Sequence, residues 1–463
     1  MARMLCQLAS ILLMLAGCPD PGSSPSGYPN GLVQEEKDET ALEKGDTLET
    51  ITELFGTLVG TSPYPGVRST FAGNHLMAQL SQVNQDLDLL IGHDRVEKYY
   101  KSKGYAVKNP HVMLSGKVEG TGFISEDPTG RPQSGINLTG AELDMLIAYK
   151  AITGFMVIQY EDFPNPVINS RLATNNLFLD VAFVTIGDLN VFPMYTTIGQ
   201  TFVPFGQYNS YNGFNDPLTE ILFRVLAQDA TIGYYDNRFL GQFYFLQGES
   251  HADSGNNINN FGLNLGVHFN PGITKNLFQA GFIRNIADGL GFQVAFANTR
   301  NTNKLKHVVP GLNFNGSTQI GDHWFFVYEF NTALRPFAIQ DAGYSTNGGK
   351  TFKGARPLAF DVEASYQFNI GERPSGIALG FSETFQSVGF NVPKWRLDLT
   401  YSVYIFKGAL LSIEYMHNKL YGKNDVATGQ LAFGPGGSTP YYRLPAYKGH
   451  SDDTLTIDLS YFW

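Results

Sequence analysis

Alternation of apolar and polar positions dominates this chain, and it is clearest in the last stretch, Asp453 to Trp463. In an extended strand, one face of this stretch would carry Leu455, Ile457, Leu459, Tyr461 and Trp463. A soluble sheet with one buried face has the same alternation. An apolar face that ends on aromatic residues is typical of a membrane barrel strand at the lipid interface. We therefore interpret Tyr461 and Trp463 as the C-terminal signal for barrel assembly.

Similar strands recur from His111 onward, and several alternate for about ten residues, against about five or six in globular proteins. A tilted strand needs about nine to eleven residues to cross a bilayer. We predict an all-β fold, a transmembrane antiparallel β-barrel of about sixteen strands over residues 109–463. In one of these strands, the predicted lipid-facing residues are Leu177, Leu179, Val181 and Phe183.

The stretch from Leu189 to Asn215 is uncharged but contains Pro193, Pro204 and several glycines, which would break a helix. It predicts a strand, a turn and an aromatic-rich loop. We expect its aromatic side chains to join an interfacial girdle: Phe192, Tyr195, Phe202, Phe205, Tyr208 and Tyr211.

The N-terminus has the features of an export signal over residues 1–18. Arg3 precedes an apolar run from Leu5 to Ala16, which is too short to span a bilayer. The run ends Leu-Ala-Gly-Cys, which resembles a lipoprotein signal and makes Cys18 a candidate for lipidation. Pro19 is atypical after such a cysteine, so ordinary cleavage is the alternative. Residues 19–47 predict a flexible acidic spacer.

Residues 48–108 predict a helical periplasmic extension that precedes the barrel. Leu48, Ile51, Phe55 and Leu58 have helical spacing. Five later residues occupy successive positions of a heptad seam: Leu76, Leu80, Val83, Leu87 and Leu90. This coiled-coil segment would either join copies of the chain into a homo-oligomer or pack on its own barrel. About ninety residues separate the signal from the first strand, so we expect no full globular plug.

Composition narrows the class of protein further. Aromatic residues make up 13% of the chain and charged residues 16%, well below the roughly 25% of ordinary soluble domains. The net charge of -10 argues against a nucleic-acid partner. Cys6 and Cys18 both lie at the N-terminus, so the predicted barrel has no disulfide and no thiolate metal site.

Sequence signatures of catalysis are missing: there is no His-Glu-x-x-His, phosphate-binding glycine loop or Gly-x-Ser-x-Gly elbow. The nine histidines lack a metal-ligand spacing. We predict that the protein is not an enzyme and has no catalytic residue, metal site or cofactor. His268, four residues after Asn264, would suit a membrane hydrolase, but such a histidine is more often a wall residue.

Charged residues on the polar strand faces are candidates to line the lumen. With His268, they are Lys117, Glu119, Asp180, Asp361, Glu363, Arg396, Asp398 and Glu414. A basic group facing lipid would cost about 2–4 kcal/mol at the midplane, so these residues must face water or one another. They would either form ion pairs that hold the wall or set a field that selects permeants. Their acidic majority favours neutral or cationic solutes.

Several segments resemble a known family of proteins. They are Ser62 to Arg68 (SPYPGVR), Leu189 to Tyr195 (LNVFPMY) and Gly199 to Gly206 (GQTFVPFG). Together with the signal and the heptad segment, they resemble the LbtU-type siderophore-porin family, the legiobactin receptors, from about residue 50 to the C-terminus. The resemblance implies an outer-membrane barrel of a Gram-negative bacterium that takes up a ferric siderophore.

The sequence thus predicts an outer-membrane transporter that carries a ferric siderophore or another small solute. Its other partners would be outer-membrane lipid and the barrel-assembly machinery. One alternative is a general or nutrient-selective diffusion porin. A second is a structural or adhesion protein that the barrel only anchors.

Overall fold

A computed structural model describes residues 51–54, 57–61, 83–92, 110–127, 130–161, 177–212, 215–236, 238–248, 257–297, 305–371, 373–406, 408–430 and 449–463. The predicted signal, Cys18, the acidic spacer and the segment from Ser62 to Arg68 lie outside these residues.

Sixteen strands form one closed antiparallel barrel, as the sequence predicts. They are β3–β13, β16–β19 and β21, and β21 pairs with β3 to close the sheet. The strand bounds are β1 Ile51–Leu54, β2 Thr57–Thr61, β3 His111–Glu126, β4 Pro132–Tyr149, β5 Ile152–Glu161, β6 Leu177–Gly187, β7 Met194–Phe202, β8 Leu226–Tyr235, β9 Phe239–Gln247, β10 Asn260–Phe269, β11 Thr274–Ile283, β12 Gly311–Ile320, β13 Trp324–Ala333, β14 Gly343–Ser345, β15 Lys353–Gly354, β16 Leu358–Ile370, β17 Arg373–Phe385, β18 Trp395–Phe406, β19 Ala409–Lys419, β20 Val426–Gly429 and β21 Ser451–Phe462.

In the described part of the chain, the helices are short and do not form part of the barrel wall. They are α1 (85–92), α2 (Leu218–Phe223), α3 (Leu290–Ala297) and α4 (Ile339–Ala342), with 3-10 turns at Ile286–Asp288 and Val388–Phe390. In the part of the chain that the structure describes, no helix has the length and apolar character needed to cross a membrane.

The connections give the barrel two different ends. At one end, strands join through short turns such as residues 150–151 between β4 and β5. At the other end lie long connections such as 334–357 between β13 and β16, which carry β14, β15 and α4. Short turns face the periplasm in outer-membrane barrels, so we call these the periplasmic and the external end. The start of β3 and Trp463 both lie at the periplasmic end.

The outer face of the barrel is apolar on all sides. Side chains that the strands turn outward, each more than a third exposed, include Val118, Leu143, Val184, Ile198, Ile232, Leu263, Phe278, Phe314, Val362, Leu379, Leu399 and Ile457. The inner positions of the same strands are mostly polar and buried, for example Thr456, Asp458 and Ser460 in β21. This arrangement is the one a lipid-facing wall requires.

In β6 the predicted face is wrong beyond Asp180. The pairing with β5 shifts between Met156 and Ile158, so β6 carries an extra residue there. A bulge places two successive residues on the same side of the sheet and reverses the alternation that follows. Leu177 and Leu179 therefore face outward, whereas Val181 (1% exposed) and Phe183 (5%) face the lumen.

The seam between the chain ends is held by backbone pairing and one close contact. Gly116 and Trp463 exchange two backbone hydrogen bonds, of 2.9 and 3.0 Å. The Trp463 indole covers Gly116 so closely that a Cβ there would lie 2.7 Å from the ring. Phe462, an apolar residue on the polar face of β21, breaks the alternation and is buried inside the barrel with Lys117 at 5.9 Å from its ring centre.

The predicted helix over Leu48 to Leu58 is wrong, because β1 and β2 form an antiparallel hairpin there. β2 pairs in parallel with His111 to Leu114, the part of β3 that extends past Trp463. Unpaired strand edges expose backbone donors and acceptors, and the residues of β2 are rich in β-branched types. Edge pairing therefore prevails over the helical spacing.

We predict that Gly116→Val weakens barrel closure, because its side chain would overlap the Trp463 ring, an overpacking that typically costs about 1–3 kcal/mol. Gly122→Val is the matched control, since Gly122 faces outward on the same strand and its nearest neighbouring atom is 4.0 Å away. Heat-modifiable gel mobility would show a lower transition temperature for Gly116→Val alone. Equal transitions for both variants would contradict the closing role of this contact.

Candidate functional site

The connection between β7 and β8 folds into the barrel instead of extending outward. We call residues 203–212 and 215–225 the lumen loop. Its aromatic side chains are buried, with Phe205 0%, Tyr208 2% and Tyr211 6% exposed. Tyr211 packs on Phe325 of β13, with ring centres 6.4 Å apart. The loop therefore crosses the interior of the barrel.

The loop approaches the wall first at Glu329 of β13. The backbone N–H groups of Gln207 and Tyr208 donate to its carboxylate at 3.3 and 2.7 Å. Gly206 (φ +96°) and Tyr208 (φ +53°) adopt left-handed backbone, which turns these N–H groups toward the acid. A Cβ at Gly206 would collide with the Glu329 carboxylate, so this position requires glycine.

Further along, the loop binds Glu363 of β16. The Ser210 hydroxyl donates to this carboxylate at 2.7 Å and the Tyr211 N–H donates at 2.6 Å. Glu363 is fully buried, so these donors replace the water that its charge would otherwise need.

The last contacts lie on β18 and β19. Asn215 donates from its backbone and its side chain to Glu414, and Arg396 donates to the Asp216 carbonyl at 2.6 Å. By strand order, β18 and β19 are on the side of the barrel opposite β7 and β8. The loop therefore spans the lumen from wall to wall.

Helix α1 lies in the lumen near the periplasmic end. Thr197 donates to Asp86 at 2.5 Å, and Gln242 donates to the Asn84 side chain at 2.7 Å. Leu87 and Leu90 pack against an inward-facing group of Tyr195, Tyr235 and Leu240. The predicted periplasmic position of this segment is therefore wrong for residues 83–92. Three residues of the predicted heptad, Val83, Leu87 and Leu90, are buried in the barrel. The other two, Leu76 and Leu80, lie outside the described residues.

The external loops pack into an aromatic lid. Phe292 of α3 lies 5.2 Å from Phe223 of the lumen loop, 4.7 Å from Phe390 and 5.8 Å from Phe337, measured between ring centres. All four rings are at most 4% exposed. Because Phe223 belongs to both structures, the lid and the lumen loop form one packed unit at the external end.

All nine predicted lumen residues lie on the inner face of the wall, and the structure divides them into groups. Lys117 and Glu119 form an ion pair on β3, and the Ser460 hydroxyl also donates to Glu119 at 3.1 Å. Glu363, Arg396 and Glu414 bind the lumen loop. Asp180, Asp361 and Asp398 are buried, and the His268 ring stacks edge-on against Tyr235 at 6.0 Å.

The predicted aromatic girdle is wrong for most of its members. Phe192 is exposed in the turn before β7, but Tyr195, Phe202, Phe205, Tyr208 and Tyr211 are buried inside the barrel. Left-handed backbone at Gly206 and the acceptors on the opposite wall draw this segment inward.

Glu329 and the amide side chains around it are not among the site residues that the sequence predicts. Glu329 is the one charged residue between Trp324 and Phe330, an otherwise apolar and aromatic run. Because a lone acid in such a run must find partners inside the barrel, its position was an available signal. Asn313 and Asn331, both fully buried, surround Glu329, and Asn313 donates to it at 2.7 Å.

The chemistry of the lumen is that of hydrogen bonding and charge. Across the described residues, no cluster of three or more His, Cys, Asp and Glu side chains is arranged to hold a metal ion. The arrangement can bind, orient and exclude solutes that move through the barrel.

No protein-family model matches this chain. A UPF0422 protein of Coxiella burnetii is 32% identical over 408 residues, covering 87% of this chain and 83% of the relative. This chain belongs to the UPF0422 family. A UPF0422 protein of Legionella pneumophila, lpg2959, is 28% identical and covers 95% of this chain and 81% of its own length.

Solved structures resemble this UPF0422 barrel at low identity. The outer-membrane channel DcaP of Acinetobacter baumannii has a TM-score of 0.49 and 10% identity, covering 76% of this chain and 97% of its own. Salmonella typhi OmpF has a TM-score of 0.49 and 13% identity, covering 76% and 97%. Likenesses this distant identify no solute.

The closed barrel with an apolar outer wall, in a family that occurs in bacteria, is an outer-membrane porin-like protein. Its lumen is the candidate functional site, since the polar and charged side chains converge there.

We predict that Glu363→Ala loosens the lumen loop. The buried Tyr211 N–H and Ser210 hydroxyl would lose their acceptor, and an unsatisfied buried group costs about 1–3 kcal/mol. In planar bilayers, this variant should open about ten times more often than the parent protein.

Glu383→Ala is the matched control, because Glu383 lies on the adjacent strand β17 at an outward position. If Glu363→Ala and Glu383→Ala gave the same opening frequency as the parent, the anchoring role of Glu363 would be refuted.

Proposed function

We propose that this protein is a gated, substrate-selective uptake channel of the outer membrane and that its solute is a ferric siderophore. The lumen loop is the observation that supports gating, because its donors bind Glu329, Glu363 and Glu414 across the barrel. A general diffusion porin would instead keep an open aqueous lumen. The siderophore part is supported by the resemblance to LbtU-type porins in the segments around Tyr195 and Gly206.

The charge of the inner wall narrows the choice of siderophore. Carboxylates at Glu329, Asp361, Glu363, Asp398 and Glu414 outnumber the basic side chains on this part of the wall. Once the loop leaves, these carboxylates repel anions and favour neutral or cationic solutes. We therefore propose a ferric complex of neutral or positive charge, such as a trihydroxamate, over an anionic ferric polycarboxylate.

Planar-bilayer recording of the purified full chain tests this proposal. A neutral ferric trihydroxamate should block the ion current at micromolar concentration, whereas ferric citrate should require at least about a hundredfold more, because the acidic wall repels it. The metal-free trihydroxamate serves as the control for the ligand without iron. A current that neither ferric complex blocks would refute the siderophore and leave a diffusion porin.

A further inference from the structure

A band of carboxamide side chains crosses the inner wall at mid-height. Gln242 of β9, Asn264 of β10 and Gln279 of β11 are neighbours, each at most 5% exposed. Asn264 donates to Gln242 at 3.0 Å and to Gln279 at 3.2 Å. We call these three residues the amide band. They offer neutral donors and acceptors side by side over three strands.

The lumen loop and the segment that contains α1, which we call the lumen inserts, each present a carboxamide to this band. At one end, Gln242 donates to the side-chain oxygen of Asn84, in the residues that precede α1. At the other end, Gln279 donates to the side-chain oxygen of Gln207 in the lumen loop at 2.9 Å. The two inserts are far apart in sequence, yet each places an uncharged C=O acceptor on the same row of N–H donors.

The wall around the band also has acceptors with no partner among the residues that the structure describes. Within that part of the chain, the Asn264 side-chain oxygen, the Asn315 side-chain oxygen and the Ser317 hydroxyl are buried without a hydrogen-bond partner. Asn315 and Ser317 are inward-facing residues of β12, next to β11. Buried polar groups are normally satisfied, so these atoms indicate a further partner that brings donors.

Charge does not dominate this part of the wall. Glu329, next to Gln207, already accepts from Asn313 and Asn331 and from the backbone of the lumen loop, and Asp86, two residues from Asn84, accepts from Thr197. A ligand at the amide band therefore meets carboxamides and hydroxyls.

We propose that the amide band is a binding site for a neutral solute rich in both C=O acceptors and O–H or N–H donors, and that Asn84 and Gln207 occupy it in the closed barrel. Carbohydrates and hydroxamate siderophores share this chemistry. The assignment rests on the proposed function, because a solute reaches mid-barrel only if the protein conducts it.

This site links solute binding to release of the two inserts, while the bound solute itself occupies the passage. A solute whose oxygens accept from Gln242 and Gln279 competes with Asn84 and Gln207 for the same donors. Binding therefore releases one anchor of each insert, and the two inserts respond to a single ligand.

Titration calorimetry of the purified full chain tests the site with two probes, raffinose and a neutral ferric trihydroxamate. The two probes distinguish a carbohydrate from a hydroxamate siderophore as the solute. In the wall variant Gln242→Leu with Gln279→Leu, the Kd of the bound probe should rise about tenfold or more through loss of two donors. Asn84→Ala with Gln207→Ala removes the two side chains that occupy the site in place of a solute, and we call it the stand-in variant. Its Kd should fall by up to about tenfold, because no internal competitor remains.

Gln319→Leu is the matched control, since its amide lies on the inner face of β12 and donates to the Gly321 carbonyl at 2.9 Å. Opposite shifts in Kd for the wall and stand-in variants establish the site. Equal Kd values in the parent and both variants, or no binding of either probe to the parent and the stand-in variant, overturn it.

The stand-in variant leaves the barrel wall intact. Its Kd therefore tests the amide band even if the wall variant fails to fold. Ion conductance of the same preparations separates the two proposals. A chain that conducts but shows neither shift refutes the amide band alone, whereas a chain that never conducts refutes the uptake channel.

Discussion

The pairing of β21 with β3 is the interaction on which the rest of the molecule depends. Backbone groups in lipid have no water to bind, so a sheet there is stable only when it closes on itself. Closure at Gly116 and Trp463 turns each alternating strand into a wall with an apolar outside and a polar inside. The polar inner face then becomes a problem of its own, because its carboxylates and amides need partners within the lumen.

The chain solves that problem with its own segments. The lumen loop brings backbone N–H groups to Glu329 and Glu363, and the segment around α1 brings Asn84 to Gln242. The same contacts also hold the lumen loop across the passage. In the channel that we propose, stability and gating are therefore coupled, since any solute that passes must replace hydrogen bonds that this structure already makes. This coupling favours selective uptake over unrestricted diffusion.

The sequence predicts the barrel well because apolar and polar residues alternate along each strand. This alternation is local, since each strand must place one face in lipid and the other in the lumen. Ile457 and Asp458 of β21 follow it directly, the first facing outward and the second buried inside. Three features escape this kind of reasoning. The β6 bulge reverses the faces of Val181 and Phe183 through one extra residue. The helical spacing around Ile51 yields to edge pairing with β3, and the aromatic residues of the lumen loop turn inward toward acceptors on distant strands. Each of these depends on contacts between residues far apart in the chain.

Cross-linking the lumen loop to the barrel wall tests whether this loop is the gate. Tyr211→Cys with Phe325→Cys, joined by a short reducible bismaleimide, should hold the loop on the wall where the native rings are 6.4 Å apart. Tyr211→Cys with Phe314→Cys is the control, since Phe314 faces outward on β12. We expect that only the first pair cross-links, and that its current stays at the closed level until the linker is reduced. A cross-linked first pair that conducts like the reduced protein would contradict it.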